Sequence, residues 1–145
     1  MQGGQQFKVD QPGLMKSGPI PVIVGAIAGA LWISTGLWSI AGLLGWAVPI
    51  FAGVWYVMTV RKSGSMPAQM DGLVNGAILG AVAGLVYGIL ALITSGIAVS
   101  SASLGLFGFS LFGIGDVVSR TLFGAVLGAA GAFGYAALVQ QGTIK

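Results

Sequence analysis

Long apolar stretches dominate this chain, and a few polar breaks divide them. Between Ser17 and Val60 there is no charged residue. One helix crosses about 30 Å of hydrocarbon with around 20 residues, so a run of that length holds two spans. Gly36, Ser39 and Gly42 interrupt the run and mark the turn between them. Pro19 and Pro21 stand where the first helix should begin, a place that tolerates proline's missing N–H. The pattern predicts spans over about 20–38 and 43–60, with Pro49 kinking the second. Arg61 to Pro67 forms a polar break, and two further spans follow over about 72–94 and 117–139. A polar tail, 1–17, precedes the first span, and Gly3, Gly4, Gln5 and Gln6 give it a loose start. The apolar run begins only at Ile20, behind Lys8 and Lys16, so the first span is expected to be a retained helix rather than a secretory leader.

The stretch 95–116, expected as an outer loop, is uncharged as far as Asp116 and rich in serine and glycine. It is short for a further span. If helical, it places Leu104, Phe107, Leu111 and Ile114 on one face. Three placements fit: on the membrane surface, dipping in as a re-entrant element, or packed on a neighbouring subunit. It lacks the Lys/Arg face of an anionic-lipid binder, and any irregular backbone at depth must be covered by protein.

Inside the third span Gly72, Gly76, Gly80, Gly84 and Gly88 recur at every fourth residue. In water each would weaken a helix by roughly 0.8–1 kcal/mol relative to alanine. In a bilayer the same row is a surface on which another backbone can lie closely. A step of four residues overshoots one turn by roughly 40°, so the row winds around its helix over about 24 Å. A partner following it crosses right-handed, at about −40°. Gly124 and Gly128 repeat the pattern in span four within Gly124-Ala-Val-Leu-Gly-Ala, an echo of Gly76-Ala-Ile-Leu-Gly-Ala. Gly25 and Gly29 repeat it in span one. Duplication and convergence in a Gly- and Ala-rich chain explain the echo equally well. Spans one, three and four are therefore the natural packing partners.

Composition strengthens this picture. Only 6% of residues are charged, against about 25% in soluble domains, so a water-facing surface could not be covered. The chain has no Cys, His or Glu. That excludes disulfides and thiolate chemistry, and imidazole-ligated metal or haem, within the chain; no cofactor is expected. The net charge of +3 rests on few residues and speaks to membrane orientation rather than to nucleic acid, which is not expected as a partner. With the N-terminus inside, Lys8, Lys16, Arg61, Lys62 and Lys145 face the cytoplasm and Arg120 faces outward, a positive-inside bias. Trp38 and Trp46 flank the outer turn, and Trp55 and Tyr56 lie near the inner end of span two, as an aromatic belt would.

The remaining polar residues sit at span ends. Asp71 and Asn75 are one turn apart at the start of span three, and Asp116 and Arg120 one turn apart at the start of span four. Both aspartates are expected at helix N-termini, where the dipole favours negative charge. Asp116 and Arg120 have ion-pair spacing. Pairing, capping or contact with a partner subunit accounts for them without an ion pathway. No acidic residue lies mid-span, which argues against a proton-coupled carrier. The glycine runs carry no lysine and follow no strand, so they are not a nucleotide-binding loop. No catalytic residues and no enzyme activity are expected.

The sequence therefore reads as an all-α integral membrane protein, a single domain over 1–145. It is a four-transmembrane-helix bundle with glycine-zipper packing and both termini cytoplasmic, expected in a prokaryotic cytoplasmic membrane. The best functional expectation is a non-catalytic accessory or structural subunit of an energy-transducing or transport complex. Its partners would be other integral membrane subunits and lipids. A small homo-oligomeric channel is the main alternative, with Ser34, Thr35, Ser39 and Asn75 to line a pore, and a membrane-shaping or lipid-handling protein is another. A reporter fusion or accessibility map should place Lys62 on the cytoplasmic side; labelling of that residue from outside would overturn the orientation.

Overall fold

The computed structural model describes residues 8–34, 38–99 and 106–144, and side chains over 8–31, 43–94 and 113–144. Every element among these residues is helical: α1 Gln11–Ser17, α2 Pro19–Ser34, α3 Trp38–Lys62, α4 Gln69–Val99 and α5 Leu106–Gln140. Three helices are long and apolar enough to cross a membrane, over Leu43–Lys62, Gln69–Thr94 and Gly113–Gln140. The bent pair α1–α2 makes a fourth if counted as one span.

Several boundaries differ from the expected ones, and one physical cause covers most of them. The expected turn over Gly36–Gly42 is already helix from Trp38 onward, and its first two residues, 36 and 37, lie outside the described residues. The expected outer loop 95–116 is mostly helix as well, since α4 runs on to Val99 and α5 starts at Leu106. A helix satisfies its own backbone, and in an apolar medium that outweighs the cost of a glycine or serine within it. Pro49 likewise lies inside α3 without ending it. The tail is more ordered than its polarity suggests. From Asp10 onward it forms α1, which meets α2 at an angle of 45°. Gly18 keeps helical angles and its N–H bonds to the Leu14 carbonyl at 2.8 Å. The bend follows from Pro19 and Pro21, which remove two donors from the ladder. The loose start expected at Gly3–Gln6 lies outside the described residues.

Packing is centred on α3 and α4. Both touch α2 and α5 as well as each other, and α1 folds onto α3. Small residues fill the interior: Ala52, Ala83, Ala132 and Ala136 are fully or almost fully buried beside Val57, Tyr56 and Tyr87. Bulky aliphatic residues point outward, among them Ile23, Ile27 and Leu31 on α2, Val82, Leu85 and Ile89 on α4, and Val118, Leu122 and Val126 on α5. A soluble bundle has the reverse arrangement. Large apolar groups outside and small ones inside suit a hydrocarbon surround, where burial supplies little drive and close van der Waals contact supplies most of it.

The α4–α5 contact is the tightest. The helices run antiparallel, so that Gly76 faces Gly128, Gly80 faces Gly124, and Gly84 faces the backbone of Arg120. A Cβ on Gly76 would lie 2.7 Å from the Gly128 carbonyl oxygen, and one on Gly84 2.6 Å from that of Arg120. At Gly80 and Gly128 the added atom would strike the facing carbonyl oxygen outright, and a Cβ on Gly124 would come within 2.5 Å of the Gly80 oxygen. Because the contact is reciprocal, the sequence echo becomes a local two-fold relation between the helices. Gly88, beyond it, would meet the Cα of Val117 at 3.3 Å. Gly72 is buried, but its nearest neighbour would be the Pro67 ring at 4.0 Å, so it takes no part in that contact. On the other side of α4, Gly25 and Gly29 of α2 lie against the carbonyls of Ala83 and Tyr87, at 3.0 and 2.7 Å from an added Cβ.

Gly80→Ala should lower the unfolding free energy of the purified protein in mild detergent by about 1–3 kcal/mol, the usual cost of overpacking. Gly134→Ala, whose Cβ would meet nothing within 4 Å, should be neutral or stabilising by up to about 1 kcal/mol. Equal effects of the two substitutions would contradict the close backbone approach.

Candidate functional site

Polar side chains gather at two ends of the bundle. At the end carrying Asp10, Lys62 and Gln140, a network ties the N-terminal segment to α3 and α4. Asp10 caps α1, its Oδ1 accepting from the Gly13 N–H at 3.1 Å. The absence of a side chain on Gly13 leaves room for that carboxylate, since a Cβ there would strike it. The other carboxylate oxygen accepts from the Tyr56 hydroxyl at 3.1 Å. Asn75 is fully buried and uses its whole amide. Its Oδ1 accepts from the Asp10 N–H at 2.9 Å, and its Nδ2 donates to the carbonyls of Lys8 at 3.1 Å and Asp71 at 2.7 Å. Asp71, in the first turn of α4, accepts from the Lys8 N–H at 3.2 Å. The start of α4 therefore holds the incoming chain through backbone groups of Lys8 and Asp10.

Asp71 and Asn75 are thus brought together as their spacing suggested, but with Asp10 and Tyr56, which sequence reasoning did not place in a site. The signal that could have found Asp10 is an aspartate shortly before a proline, a helix-starting pattern. Tyr56, expected in the aromatic belt, is instead buried and points inward. Its neighbour Trp55 fits the belt better, packing on Phe51 with ring centroids 5.7 Å apart and lying under the Lys62 ammonium at 5.8 Å.

At the opposite end Asp116 and Arg120 form an ion pair, Arg120 Nε to Asp116 Oδ2 at 2.6 Å. Asp116 lies well inside α5, which begins at Leu106, so the helix dipole is not what holds it; the pair spacing is. The Arg120 guanidinium lies over the Tyr87 ring, 5.0 Å from its centroid, a cation–π arrangement. Beside the pair, α3, α4 and α5 border a half-open cavity of about 330 Å³. Gly45, Gly84 and Gly124 form part of its wall. Gly45 also makes room for Tyr87, whose hydroxyl would stand 3.0 Å from a Cβ at that position. Trp46 and Phe123 flank the cavity with ring centroids 5.8 Å apart, and Leu127 lines its deeper part. Gly45 and the cavity carried no sequence signal, because three helices must meet before the hollow exists. Gly53 and Gly131, which hold α3 against α5 by close approach to the backbones of Gly128, Ala132 and Ile50, were missed for a similar reason: neither belongs to a periodic row.

The fold and these sites define an all-α protein with three or four membrane-length helices. No protein-family model matches the chain, and neither a curated protein nor a solved structure matches it.

Asn75→Leu keeps similar bulk but leaves the Asp10 N–H and the Lys8 carbonyl without their partner, at about 1–3 kcal/mol for each group that stays buried. Residues 8–17 should then exchange their amide hydrogens much faster than in the parent chain, while the α4–α5 contact stays protected. Unchanged exchange over 8–17 would show that the network does not hold the segment.

Proposed function

We propose that the chain is a non-catalytic, multi-pass membrane subunit that stabilises or occupies space within a larger membrane assembly. One observation carries this reading: the bundle meets its own packing and hydrogen-bonding needs and offers an exterior of bulky aliphatic side chains. The glycine rows behave as a glycine zipper within the chain, Gly76, Gly80 and Gly84 against α5 and Gly25 and Gly29 against α4. They make the subunit a compact, self-sufficient body. Docking to other subunits then falls to the apolar outer faces of α2, α4 and α5, in a cytoplasmic membrane with the termini inside.

The channel alternative draws less support. A pore needs polar side chains with hydrogen-bonding capacity to offer to water or ions. Asn75, one of its candidate lining residues, has its amide engaged by three backbone groups. Ser34, Thr35 and Ser39 lie outside the described side chains.

Purification of the full chain from its native membrane in mild detergent, followed by mass spectrometry, tests the reading. Other membrane subunits should co-purify at a fixed ratio through size exclusion. Recovery of this chain alone, as a monomer or a closed ring, overturns it.

A further inference from the structure

The cavity beside Asp116 and Arg120 has features that packing alone does not require. Along α5 its wall is built by Asp116, Ser119, Arg120, Phe123 and Leu127, spaced so that they share one helix face. That face changes from charged to apolar over about 16 Å of helix axis at 1.5 Å per residue. The charged part presents two opposite signs within one ion pair. Asp116 is the more open partner, 53% exposed, whereas Arg120 is 24% exposed and lies over Tyr87. The apolar part is bordered by Trp46 and Phe123, both more than half exposed. Their outer sides continue into the aliphatic exterior at Leu43, Leu122 and Val126. A volume of about 330 Å³ falls at the small end of ligand sites, roughly 300–1,000 Å³. It admits a headgroup and the first part of one chain, and not a whole phospholipid.

We propose that this cavity binds a zwitterionic amphiphile, specifically an aminophospholipid, with its phosphate at Arg120 and its ammonium at Asp116. The first methylenes of one acyl chain lie along the cavity side of the packed Trp46–Phe123 pair and against Leu127, and the remaining lipid follows the exterior of α5. Charge complementarity selects the head: an arginine fork suits phosphate, and the adjacent carboxylate favours an ammonium and repels a purely anionic head. The order of residues along α5 selects the direction, since charge at the end of the span and apolar residues deeper in match a lipid in its own leaflet. The proposal stands whether or not the chain belongs to a larger complex.

The test uses the full chain, delipidated in mild detergent and offered phosphatidylethanolamine or phosphatidylglycerol with identical acyl chains, with retained lipid counted by native mass spectrometry. One phosphatidylethanolamine per chain should be retained, in preference to phosphatidylglycerol by about tenfold, as one charge-assisted hydrogen bond would give. Ser119→Phe, which fills the cavity and leaves both charges in place, should abolish retention. Asp116→Asn, which removes the carboxylate charge at a half-exposed position, should remove the preference between the two lipids. Excess water-soluble phosphoethanolamine should leave the bound lipid in place. Equal retention of the two lipids by the parent chain, or an unchanged preference in Asp116→Asn, overturns the proposal. Displacement by phosphoethanolamine alone also overturns it and identifies the ligand as a soluble zwitterion.

Discussion

The bundle depends on the approach of two backbones, α4 and α5, at Gly76, Gly80 and Gly84 on one side and Gly128, Gly124 and Arg120 on the other. At this separation no side chain fits between the helices, so the contact is made of carbonyls, Cα atoms and dispersion forces. Each atom pair contributes only about 0.1–0.2 kcal/mol, and the sum requires many pairs held in register. The four-residue step supplies that register. Glycines on both helices meet in antiparallel order, and a slip by one residue would bring Cβ atoms into every gap. From this pair the rest follows. α5 holds α3 through Gly53 and Gly131, and α4 holds α2 through Gly25 and Gly29. The bulky residues are left for the outside, where aliphatic groups meet lipid without penalty.

Much of this architecture was legible because periodicity survives translation into three dimensions. A row of glycines at every fourth residue can only form a stripe, and an uncharged run of fixed length can only be one or two spans. Contacts made by solitary residues were not legible. Gly53 has no glycine one turn away that also packs on α5, so nothing along the chain distinguishes it from Gly134, which touches nothing within 4 Å. Gly72 shows the converse, belonging to the row by spacing while an added Cβ there would have only the Pro67 ring near it, at 4.0 Å. Serine and glycine signal turns in water, yet helix covers 38–42, 95–99 and 106–116. In an apolar surround a bare backbone costs more than a glycine or serine within a helix.

The two polar clusters were half visible for a related reason. Asp71 with Asn75 and Asp116 with Arg120 each lie one turn apart on one helix, and sequence spacing reveals such pairs. Their further partners come from elsewhere: Asp10 from the tail, Tyr56 from α3, Tyr87 from α4. No spacing rule reaches across helices.

The clusters also differ in kind. Asn75 is buried with its amide acceptor and both donors engaged, and the groups it meets are backbone groups whose positions are fixed by α4 and α1. A buried amide satisfied in this way stabilises one arrangement of the chain and has little to offer a ligand; removing it orphans the Asp10 N–H and the Lys8 carbonyl. The Asp116–Arg120 pair is partly open and lies beside a hollow between α3, α4 and α5. Where two stripes of glycine face each other, space is eliminated and the helices lock. Beside the charged pair a space remains, bordered by Tyr87, Trp46 and Phe123. The same residue type that makes the bundle rigid also makes its one described cavity between α3, α4 and α5 a defined one, because the walls around it are held by the contacts at Gly80 and Gly124 just below.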